Sequence, residues 1–221
     1  MKYSCIQARS FDDESRLRPI MPSIWCALRT FDEHAKEMGG LPSESPLFFL
    51  KPWGAFTQPA EGNQLSIPDD FDEVHHEVEL VLQLGANLSC SQIAVGLDLT
   101  DRCLQQVAKE EGMPWTQSKG FVNSAVVGNF SEAPNPEEMS NLRIELSVND
   151  ESRQSASIGQ MRFHPLELID ELNEWAPMEE GDLLFCGTPS GVGPMHRGDH
   201  IHARLLTEGG RTLSEINVVL A

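Results

Sequence analysis

The sequence predicts a β-rich α+β domain. Short apolar or alternating segments typical of strands recur along the chain, helical patterns are few and short, and stretches rich in Gly, Pro, Asn and Asp separate them. Strands and helices do not alternate regularly, which disfavours a parallel sheet built from βαβ units. The 221 residues suffice for one large domain or two small ones with a sizeable core.

Composition sets limits on partners and location. Apolar residues at 40% and charged residues at 23% are ordinary for a globular protein, but the net charge of −18 is not. Nucleic acid and anionic membranes would be repelled, so neither is expected as a partner. The first residues lack the apolar core of a signal peptide, and no apolar run approaches the ~18 residues of a transmembrane helix. We therefore expect a cytoplasmic protein with an acidic, solvated surface.

The cysteines predict a reducing compartment. The chain has five, an odd number, and no C-x-x-C pair. This pattern favours buried thiols over a disulfide framework or a zinc site. The five are Cys5, Cys26, Cys90, Cys103 and Cys186.

A short helix is predicted near the start of the chain. It follows a short buried strand at 24–28 and ends at Gly39-Gly40. His34 and Glu37 are three residues apart, so on a helix they share a face. A carboxylate beside an imidazole can orient it as a general base, although a surface pair is the commoner meaning of this spacing. The flanking glycines and prolines would also let such a helix act as a lid.

The segment 78–84 is apolar and rich in Val and Leu, which predicts a strand. Side chains alternate along a strand, so Glu77 and Glu79 would share one face with His75. Two carboxylates one pleat apart repel each other unless solvent or a cation lies between them. The pattern therefore leaves two interpretations, a half-exposed strand with a solvated acidic face or an enclosed site for a divalent ion.

A second strand, at 93–100, carries the single acid Asp98 among apolar residues. An acid in such a strand is costly to bury unless it is paired or binds a metal. Thr100 or Asp101 can cap the helix that follows, which ends at Gly112 and has Leu104, Val107 and Ala108 at helical spacing. Arg102 and Gln105 share one face near its beginning, next to Asp98. Arg102 is then either part of a functional site or a cation that simply neutralises Asp98 or a neighbouring acid.

The remaining elements follow from local patterns. Asn149-Asp150 is a hairpin turn after an alternating strand, and Pro165 suits the first position of a helix that continues to Trp175. The Gly-rich segment 187–194 is not a phosphate-binding P-loop, because no Lys-Ser/Thr follows. Two interpretations stay open for this segment: its backbone amides bind an anion, or it is a tight structural turn. Further strands are expected at 47–50, 125–128, 142–148, 183–186 and in a closing hairpin at 201–219.

Taken together, three carboxylates on two strands are the strongest feature. Oxygen ligands from Glu77, Glu79 and Asp98 suit Mg²⁺, Mn²⁺ or Ca²⁺ better than Zn²⁺. Lys119, in the loop after the helix, and Arg102 with Gln105 are then candidates to stabilise a carboxylate or a developing enolate.

Several motifs in order resemble one family. The sequence from about residue 24 onward is similar to the fumarylacetoacetate hydrolase superfamily, in its short acylpyruvase and oxaloacetate decarboxylase branch. The matching motifs are Phe49-Leu50-Lys51-Pro52, His75-His76-Glu77-Val78-Glu79-Leu80, Leu97-Asp98-Leu99-Thr100-Asp101-Arg102, Gly112-Met113-Pro114-Trp115-Thr116, Lys119 and Gly187-Thr188-Pro189-Ser190-Gly191-Val192-Gly193-Pro194. Where the family often reads G-R-N-Y, this chain has Leu28-Arg29-Thr30-Phe31.

This resemblance implies a fold and a set of roles. The fold would be a mixed sheet rolled into a partly open barrel with short flanking helices, usually in a homodimer. Residues 1–45 would form an N-terminal segment with the lid helix, and residues 46–221 the catalytic domain. The implied catalytic residues are His34, Glu37 and Lys119, the metal ligands for Mg²⁺ or Mn²⁺ are Glu77, Glu79 and Asp98, and the substrate-binding residues are Arg29, Arg102, Gln105, Gly187 and Thr188.

The implied activity is metal-dependent hydrolysis of a C–C bond in an acylpyruvate or other 2,4-dioxo acid, through a metal-stabilised enolate. The alternative is decarboxylation or tautomerisation of oxaloacetate or of a hydroxymuconate-type 2-oxo diacid, which needs no attacking water. His34 and Glu37 favour hydrolysis. A third hypothesis, a binding module without catalysis, predicts no turnover of any of these acids.

Overall fold

The computed structural model of the protein describes residues 21–37, 39, 43–59, 64–69, 71 and 73–221. Cys5 and the first part of the predicted segment 1–45 lie outside these residues. No disulfide joins the other four cysteines, which are all within the described ranges. Burial raises the pKa of the Cys26 and Cys186 thiols, which keeps them protonated.

Short strands dominate the described chain. In chain order they are β1 (Ile24–Leu28), β2 (Leu47–Lys51), β3 (Phe56–Thr57), β4 (Gln64–Leu65), β5 (Val74–His76), β6 (Val78–Leu84), β7 (Cys90–Asp98), β8 (Thr100–Asp101), β9 (Ala125–Val127), β10 (Ser131–Glu132), β11 (Arg143–Val148), β12 (Glu151–Ser157), β13 (Leu183–Phe185), β14 (Gly193–Met195), β15 (His200–Leu206) and β16 (Thr212–Leu220).

The helices are few and short, as the sequence predicts. They are α1 (Asp32–Glu37), α2 (Arg102–Glu111), α3 (Thr116–Lys119), α4 (Pro136–Ser140) and α5 (Pro165–Asn173), with 3₁₀ turns at Trp53–Ala55, Ala86–Leu88 and Ile158–Gln160. In the part of the chain that the structure describes, none of them is long and apolar enough to cross a membrane.

The strands form a curled main sheet and two smaller sheets. The order in the main sheet is β2-β1-β13-β6-β7-β9-β3, with β10 paired to β7, and the sheet curls into a half-barrel. A five-stranded sheet has the order β12-β11-β15-β16-β4, and a small one has the order β14-β5-β8. The predicted α+β class with a partly rolled mixed sheet is therefore confirmed. Strand β1, from the N-terminal segment, lies inside the main sheet between β2 and β13, and a domain boundary at residue 45 stays a prediction.

Strand β6 lies at the centre of the core. Leu80 and Leu82 pack into the larger apolar cluster on one side, while Val81 packs with Phe185 on the other. Glu79, on this strand, is only 2% exposed. The interpretation of a half-exposed strand with a solvated acidic face is therefore wrong. Instead, an ionisable carboxylate is held inside the protein, which requires compensation by other charges.

Helix α2 begins and ends where the sequence predicts. The Asp101 carboxylate accepts a hydrogen bond of 2.8 Å from the Leu104 amide, and Gly112 terminates the helix at φ 66°. Of the apolar residues at helical spacing, however, Leu104 and Val107 are exposed and only Ala108 is buried. The helix instead buries Gln105 and Ala108, and this choice turns a polar face inward toward Glu77.

The hairpin and helix-start predictions are confirmed. Asn149 and Asp150 take left-handed φ values of 52° and 65° between β11 and β12. Pro165 is the first residue of α5. Trp175 is an exception, because α5 ends before it and the indole is 59% exposed. It rests edge-on against Trp25, with ring centroids 5.7 Å apart.

Candidate active site

Three carboxylates converge where β6 and β7 meet. Glu79 lies on β6, Asp98 ends β7, and Glu77 occupies the break between β5 and β6. The Asp98 amide donates a 2.9 Å hydrogen bond to the Glu77 carbonyl, which fixes the two backbones side by side. All three side chains are buried, and one carboxylate oxygen from each lies within 4.8 Å of the others. This triad is the predicted metal-ligand set, brought together by the pairing of two strands.

Three buried or half-buried cations surround the triad. Lys119 Nζ lies 2.8 Å from Glu77 Oε2 and 2.5 Å from Asp98 Oδ2. Arg102 Nη2 lies 2.8 Å from Glu77 Oε1, and Arg102 also donates a hydrogen bond of 2.7 Å to Gln105. Lys51 Nζ lies 2.7 Å from Asp98 Oδ1. Three negative and three positive side chains therefore balance within the site itself.

Lys51 leaves one triad oxygen without a hydrogen bond. Its ammonium donates to the main-chain carbonyls of Leu99 and Ser124 at 3.1 and 2.9 Å, and to that of Lys119. Its three protons are thus committed, so its contact with Asp98 Oδ1 is an ion pair and not a hydrogen bond. Asp98 Oδ1 is buried and accepts no hydrogen bond among the described residues. A set of three buried carboxylates, one of whose oxygens accepts no hydrogen bond, fits a hard divalent cation.

The two glutamates of the triad have opposite pKa shifts. Burial acts to raise the pKa of Glu77, but the Lys119 and Arg102 cations outweigh it and hold that pKa well below its usual range. Burial and the neighbouring Asp98 and Glu77 charges raise the pKa of Glu79 well above 4.5. In the absence of a metal ion, Glu79 therefore carries a proton more readily than Glu77.

The predicted dyad is in place on α1. His34 Nδ1 lies 3.1 Å from Glu37 Oε2, and the imidazole lines the cavity above the triad. Glu37 also accepts hydrogen bonds of 3.1 and 3.3 Å from the Gly191 amide. Arg162 holds the start of α1 through two hydrogen bonds of 2.7 and 2.8 Å to Asp32. Helix α1 is thus fixed over the site at both ends.

The cavity enclosed by these elements is small and charged. Its volume is about 70 Å³. Besides the triad its wall includes Ala27, Leu28, Arg29, His34, Ala35, Phe49, Arg102, Gln105, Lys109, Trp115, Lys119 and Thr188. An apolar groove of about 490 Å³ adjoins it and shares Leu28, Phe49 and Trp115 with it.

The Gly-rich segment binds the protein's own carboxylates. The Gly187 amide donates a 2.6 Å hydrogen bond to Glu79 Oε2, as Gly191 does to Glu37. Gly187 has a φ of 95°, and a Cβ there would lie 2.1 Å from Thr30 Oγ1. Gly187 lies behind the predicted metal ligand Glu79 and is not among the residues that line the cavity, and its role in substrate binding stays a prediction.

A buried glutamine joins this segment to the strand of the triad. Gln154 on β12 donates to Thr188 Oγ1 at 2.8 Å and accepts from the Val78 amide at 3.0 Å. Its carbonyl oxygen also lies 2.9 Å from His76 Nδ1. Neither Gln154 nor Lys51 was given a role on sequence grounds. Both lie in segments that resemble the family, Lys51 in the Lys-Pro pair and Gln154 at the end of the hairpin segment 148–154, but neither segment indicates these contacts.

Residues 23–217 match the family described as fumarylacetoacetate (FAA) hydrolase, C-terminal. The chain belongs to the fumarylacetoacetate hydrolase family. The match runs from the residue before β1 into β16. It contains the carboxylate triad, the His34–Glu37 pair and the three cations around the triad, Lys51, Arg102 and Lys119. The predicted family membership is thereby confirmed.

Named relatives differ in activity. Oxaloacetate tautomerase YcgM of Escherichia coli is 35% identical over 189 residues, covering 80% of this chain and 85% of the relative. The mitochondrial oxaloacetate decarboxylase of Dictyostelium discoideum is 35% identical over 184 residues, covering 78% and 84%. Fumarylpyruvate hydrolase from Pseudomonas aeruginosa, solved in complex with Mn²⁺ and pyruvate, superposes with a TM-score of 0.80 at 32% identity, covering 91% of each chain.

For this family member, the structure gathers most of the predicted site residues around one cavity. Arg29, His34, Arg102, Gln105, Lys119 and Thr188 line it together with the triad. Glu37 stands behind His34, and Gly187 behind Glu79. His75, predicted on the ligand face, does not line the cavity and instead lies 2.7 Å from Glu73. The chain leaves regular strand geometry at Glu77, which breaks the alternation on which that expectation depended. The catalytic roles themselves stay predictions.

Proposed function

We propose that the protein is a divalent-metal-dependent enzyme that forms the enolate of a small 2-oxo diacid, catalysing tautomerisation or decarboxylation of an oxaloacetate-type substrate. The observation that carries the proposal is the arrangement of the carboxylate triad, Lys119 and the His34–Glu37 pair around one small cavity. The names of the Escherichia coli and Dictyostelium relatives support the substrate class.

Glu77, Glu79 and Asp98 would hold Mg²⁺ or Mn²⁺. Their oxygen-only donor set, in which Asp98 Oδ1 accepts no hydrogen bond, supports this assignment, as does the Mn²⁺ in the Pseudomonas neighbour. The chemistry that such an ion supplies is withdrawal of negative charge from the 2-oxo oxygen as the neighbouring carbon loses its proton. The triad and its three paired cations balance in charge, so a divalent cation and a dianionic substrate would add no net charge at the triad.

The protein's side chains would do the remaining work. Arg102, Gln105 and Thr188 bind and orient the substrate carboxylate and carbonyl. His34, held by Glu37, accepts the proton from carbon 3 and returns it to oxygen, so that tautomerisation moves one proton and consumes nothing. The Lys119 ammonium stabilises the negative charge that develops in between. In decarboxylation the electrons of the C–C bond flow to the same oxygen as carbon dioxide leaves, and a proton then adds to carbon.

Hydrolysis of an acylpyruvate is the second candidate, and two observations favour it. The His34–Glu37 pair suits deprotonation of a water molecule. The apolar groove beside the cavity offers space for an acyl chain along Leu28, Phe49 and Trp115. Water would add to the distal carbonyl, and the C–C bond would break to give pyruvate and a carboxylic acid.

A panel assay tests these proposals. Purified protein would be given oxaloacetate, acetylpyruvate and a hydroxymuconate-type diacid, each with Mg²⁺, Mn²⁺ or EDTA. We expect metal-dependent enol–keto conversion or decarboxylation of oxaloacetate to have the highest kcat/KM. A higher kcat/KM for acetylpyruvate would favour the hydrolase, and no turnover of any acid would sink the enzyme proposal.

We also propose a cytoplasmic homodimer. The edge strand β2 exposes Leu47 and Leu50, at 39% and 50% exposure, and Trp175 lies against Phe48 from the same strand. A second copy is the partner that would cover these apolar side chains. Light scattering coupled to gel filtration tests this, and a monomer at micromolar concentration would contradict it. Some relatives are named as mitochondrial proteins, so fractionation of cells is the test of location.

A further inference from the structure

Most lysines and arginines in the described residues already have a carboxylate partner. Lysines and arginines with an ion pair are Lys36, Lys51, Arg102, Lys119, Arg143, Arg153, Arg162, Arg197 and Arg204. In the same residues, only Arg29, Lys109 and Arg211 lack one. Acids outnumber bases by 34 to 16 in this chain. A lysine or arginine without an acidic partner is therefore uncommon among these residues.

Two of these three exceptions line the same small cavity. Arg29 and Lys109 both contribute to its wall, whereas Arg211 lies at the turn between β15 and β16. Lys109 follows Arg102 and Gln105 on α2 at spacings of seven and four residues, so the three side chains share one helix face. The Lys109 ammonium lies 5.5 Å from the centre of the Trp115 ring, which also lines the cavity. An aromatic face restrains a cation without neutralising it.

The structure thus divides the cavity's charges into two groups. The inner cations, Lys51, Arg102 and Lys119, are matched by the triad. The outer cations, Arg29 and Lys109, have no acid to match them among the described residues. A ligand that reaches from the triad to the outer pair would need a second negative charge at its far end.

We propose that Lys109, together with Arg29, binds the distal carboxylate of a dicarboxylic 2-oxo acid, which makes Lys109 a specificity-determining residue. This inference rests on the proposed function, because it assumes that the 2-oxo carboxylate end of the substrate binds at the triad. An acid with a neutral acyl group at the far end gains nothing from Lys109 and would use the apolar groove instead.

Steady-state kinetics of Lys109→Met tests the proposal. The KM for oxaloacetate is expected to rise about 10- to 100-fold, the loss typical of one hydrogen bond to a charged group, with a much smaller change in kcat. The KM for acetylpyruvate stays within about twofold, and Lys109→Arg restores most of the oxaloacetate affinity. Equal changes for the two acids, or none for oxaloacetate, would overturn the proposal. Arg211→Gln is the matched control, since it removes an equally unpaired cation at a distance from the site.

A binding measurement separates this inference from the proposed function. Titration calorimetry of the Mg²⁺-loaded protein would use 3,3-difluoro-oxaloacetate, which cannot enolise, and pyruvate, which lacks the second carboxylate. If Lys109→Met weakens the binding of 3,3-difluoro-oxaloacetate but not that of pyruvate, the inference is supported even when no substrate is turned over. The absence of turnover would sink only the proposed activity. Turnover of oxaloacetate with diacid binding unchanged in Lys109→Met would sink only the inference.

Discussion

Lys51 on β2 lies 2.7 Å from Asp98 Oδ1 at the end of β7, yet its protons all go to main-chain carbonyls. Those carbonyls belong to Leu99, Lys119 and Ser124, so one ammonium ties the end of β7 to α3 and the chain after it. Burial lowers the pKa of Lys51, against the opposing effect of Asp98. The arrangement therefore depends on a charge that is expensive to keep inside the protein.

Removing that charge should destabilise the fold. Lys51→Met leaves three carbonyls and Asp98 without their partner, and loss of one member of a buried ion pair typically costs about 3–5 kcal/mol. Urea unfolding with EDTA present measures this free energy. Lys36→Met, which removes an exposed lysine on α1, is the control and should leave the unfolding midpoint unchanged. Equal midpoints for the two variants would show that Lys51 has no such structural role.

The opposite pKa shifts of the two glutamates predict opposite effects of removing their charge. Because the folded pKa of Glu79 is raised, the stability linked to its proton is present below pH 4.5 and is lost as pH rises through the folded value. Glu79→Gln should therefore raise the melting temperature of the metal-free protein at pH 8, and the gain should fade toward pH 4.

Glu77→Gln is the matched comparison. The folded pKa of Glu77 is lowered, so its contribution to stability is present above pH 4.5 and is lost only as pH falls well below that value. The substitution leaves Arg102 without its carboxylate partner and removes one of the two carboxylates that pair with Lys119, so it should lower the melting temperature at pH 8. Both variants should lose Mg²⁺ binding. A variant that binds Mg²⁺ normally would sink the assignment of that residue as a ligand.

The charge balance of the site predicts cooperation between metal and substrate. A divalent cation alone makes the site positive, and a dianion restores neutrality. We expect oxalate to increase the affinity for Mg²⁺ by about 5- to 150-fold, and Mg²⁺ to increase the affinity for oxalate by the same factor. Calorimetric titrations in both orders measure the two factors. Acetate should give little coupling, and independent binding of Mg²⁺ and oxalate would contradict the electrostatic account.

The His34–Glu37 pair predicts which reactions need a base. His34→Ala should reduce tautomerisation and hydrolysis by about 10²- to 10⁴-fold, because both require proton transfer by a positioned group. Decarboxylation should lose less, since its bond breaking requires no base. The measurement is kcat for each reaction with Mg²⁺ saturating, and Lys36→Met on the same helix is the control. Loss of decarboxylation to the same extent would mean that His34 acts on a step common to all three.

Gly187 is expected to matter for metal binding as well as stability. Gly187→Ala places a Cβ 2.1 Å from Thr30 Oγ1 in a backbone of φ 95°, which must displace the amide that binds Glu79. Gly198→Ala is the control, because Gly198 has φ 89° but nothing within 4 Å of a Cβ. Both should lose about 1–2 kcal/mol from the left-handed backbone. Only Gly187→Ala should also weaken Mg²⁺ binding, and equal Mg²⁺ affinities for the two would contradict this.

Features encoded in short segments were predictable from the sequence. The Asp101 cap, the turn at Asn149-Asp150 and the helix start at Pro165 each depend on neighbours within a few residues, and all are found. The same holds for His34 and Glu37, whose contact needs only one turn of helix. In each case the interacting residues lie within a few positions of one another, so the local sequence contains the whole pattern.

Features set by distant parts of the chain were not predictable from local patterns. Lys119 was a candidate to stabilise a developing enolate, but its burial between Glu77 and Asp98 comes from long-range contacts that no local pattern shows. Leu104 and Val107 have the apolar spacing of a helix, but the buried residues of α2 are Gln105 and Ala108. Gln154 lies in a hairpin segment that resembles the family, but its contacts join two segments far apart in sequence, which no local pattern predicts.

The parallel pairing of β1 with β13 has a consequence for how the protein is made. Ile24 pairs with Leu183, and Asp182 accepts hydrogen bonds from the Ser23 amide and the Trp25 indole across more than 150 positions. A chain emerging from the ribosome cannot complete the half-barrel until β13 has been synthesised. Folding should therefore be slow for a protein of this size, as is usual when distant segments must meet first. Nascent chains that end before β13 should remain open to proteases, and those that extend past Gly187 should be the first to retain Mg²⁺.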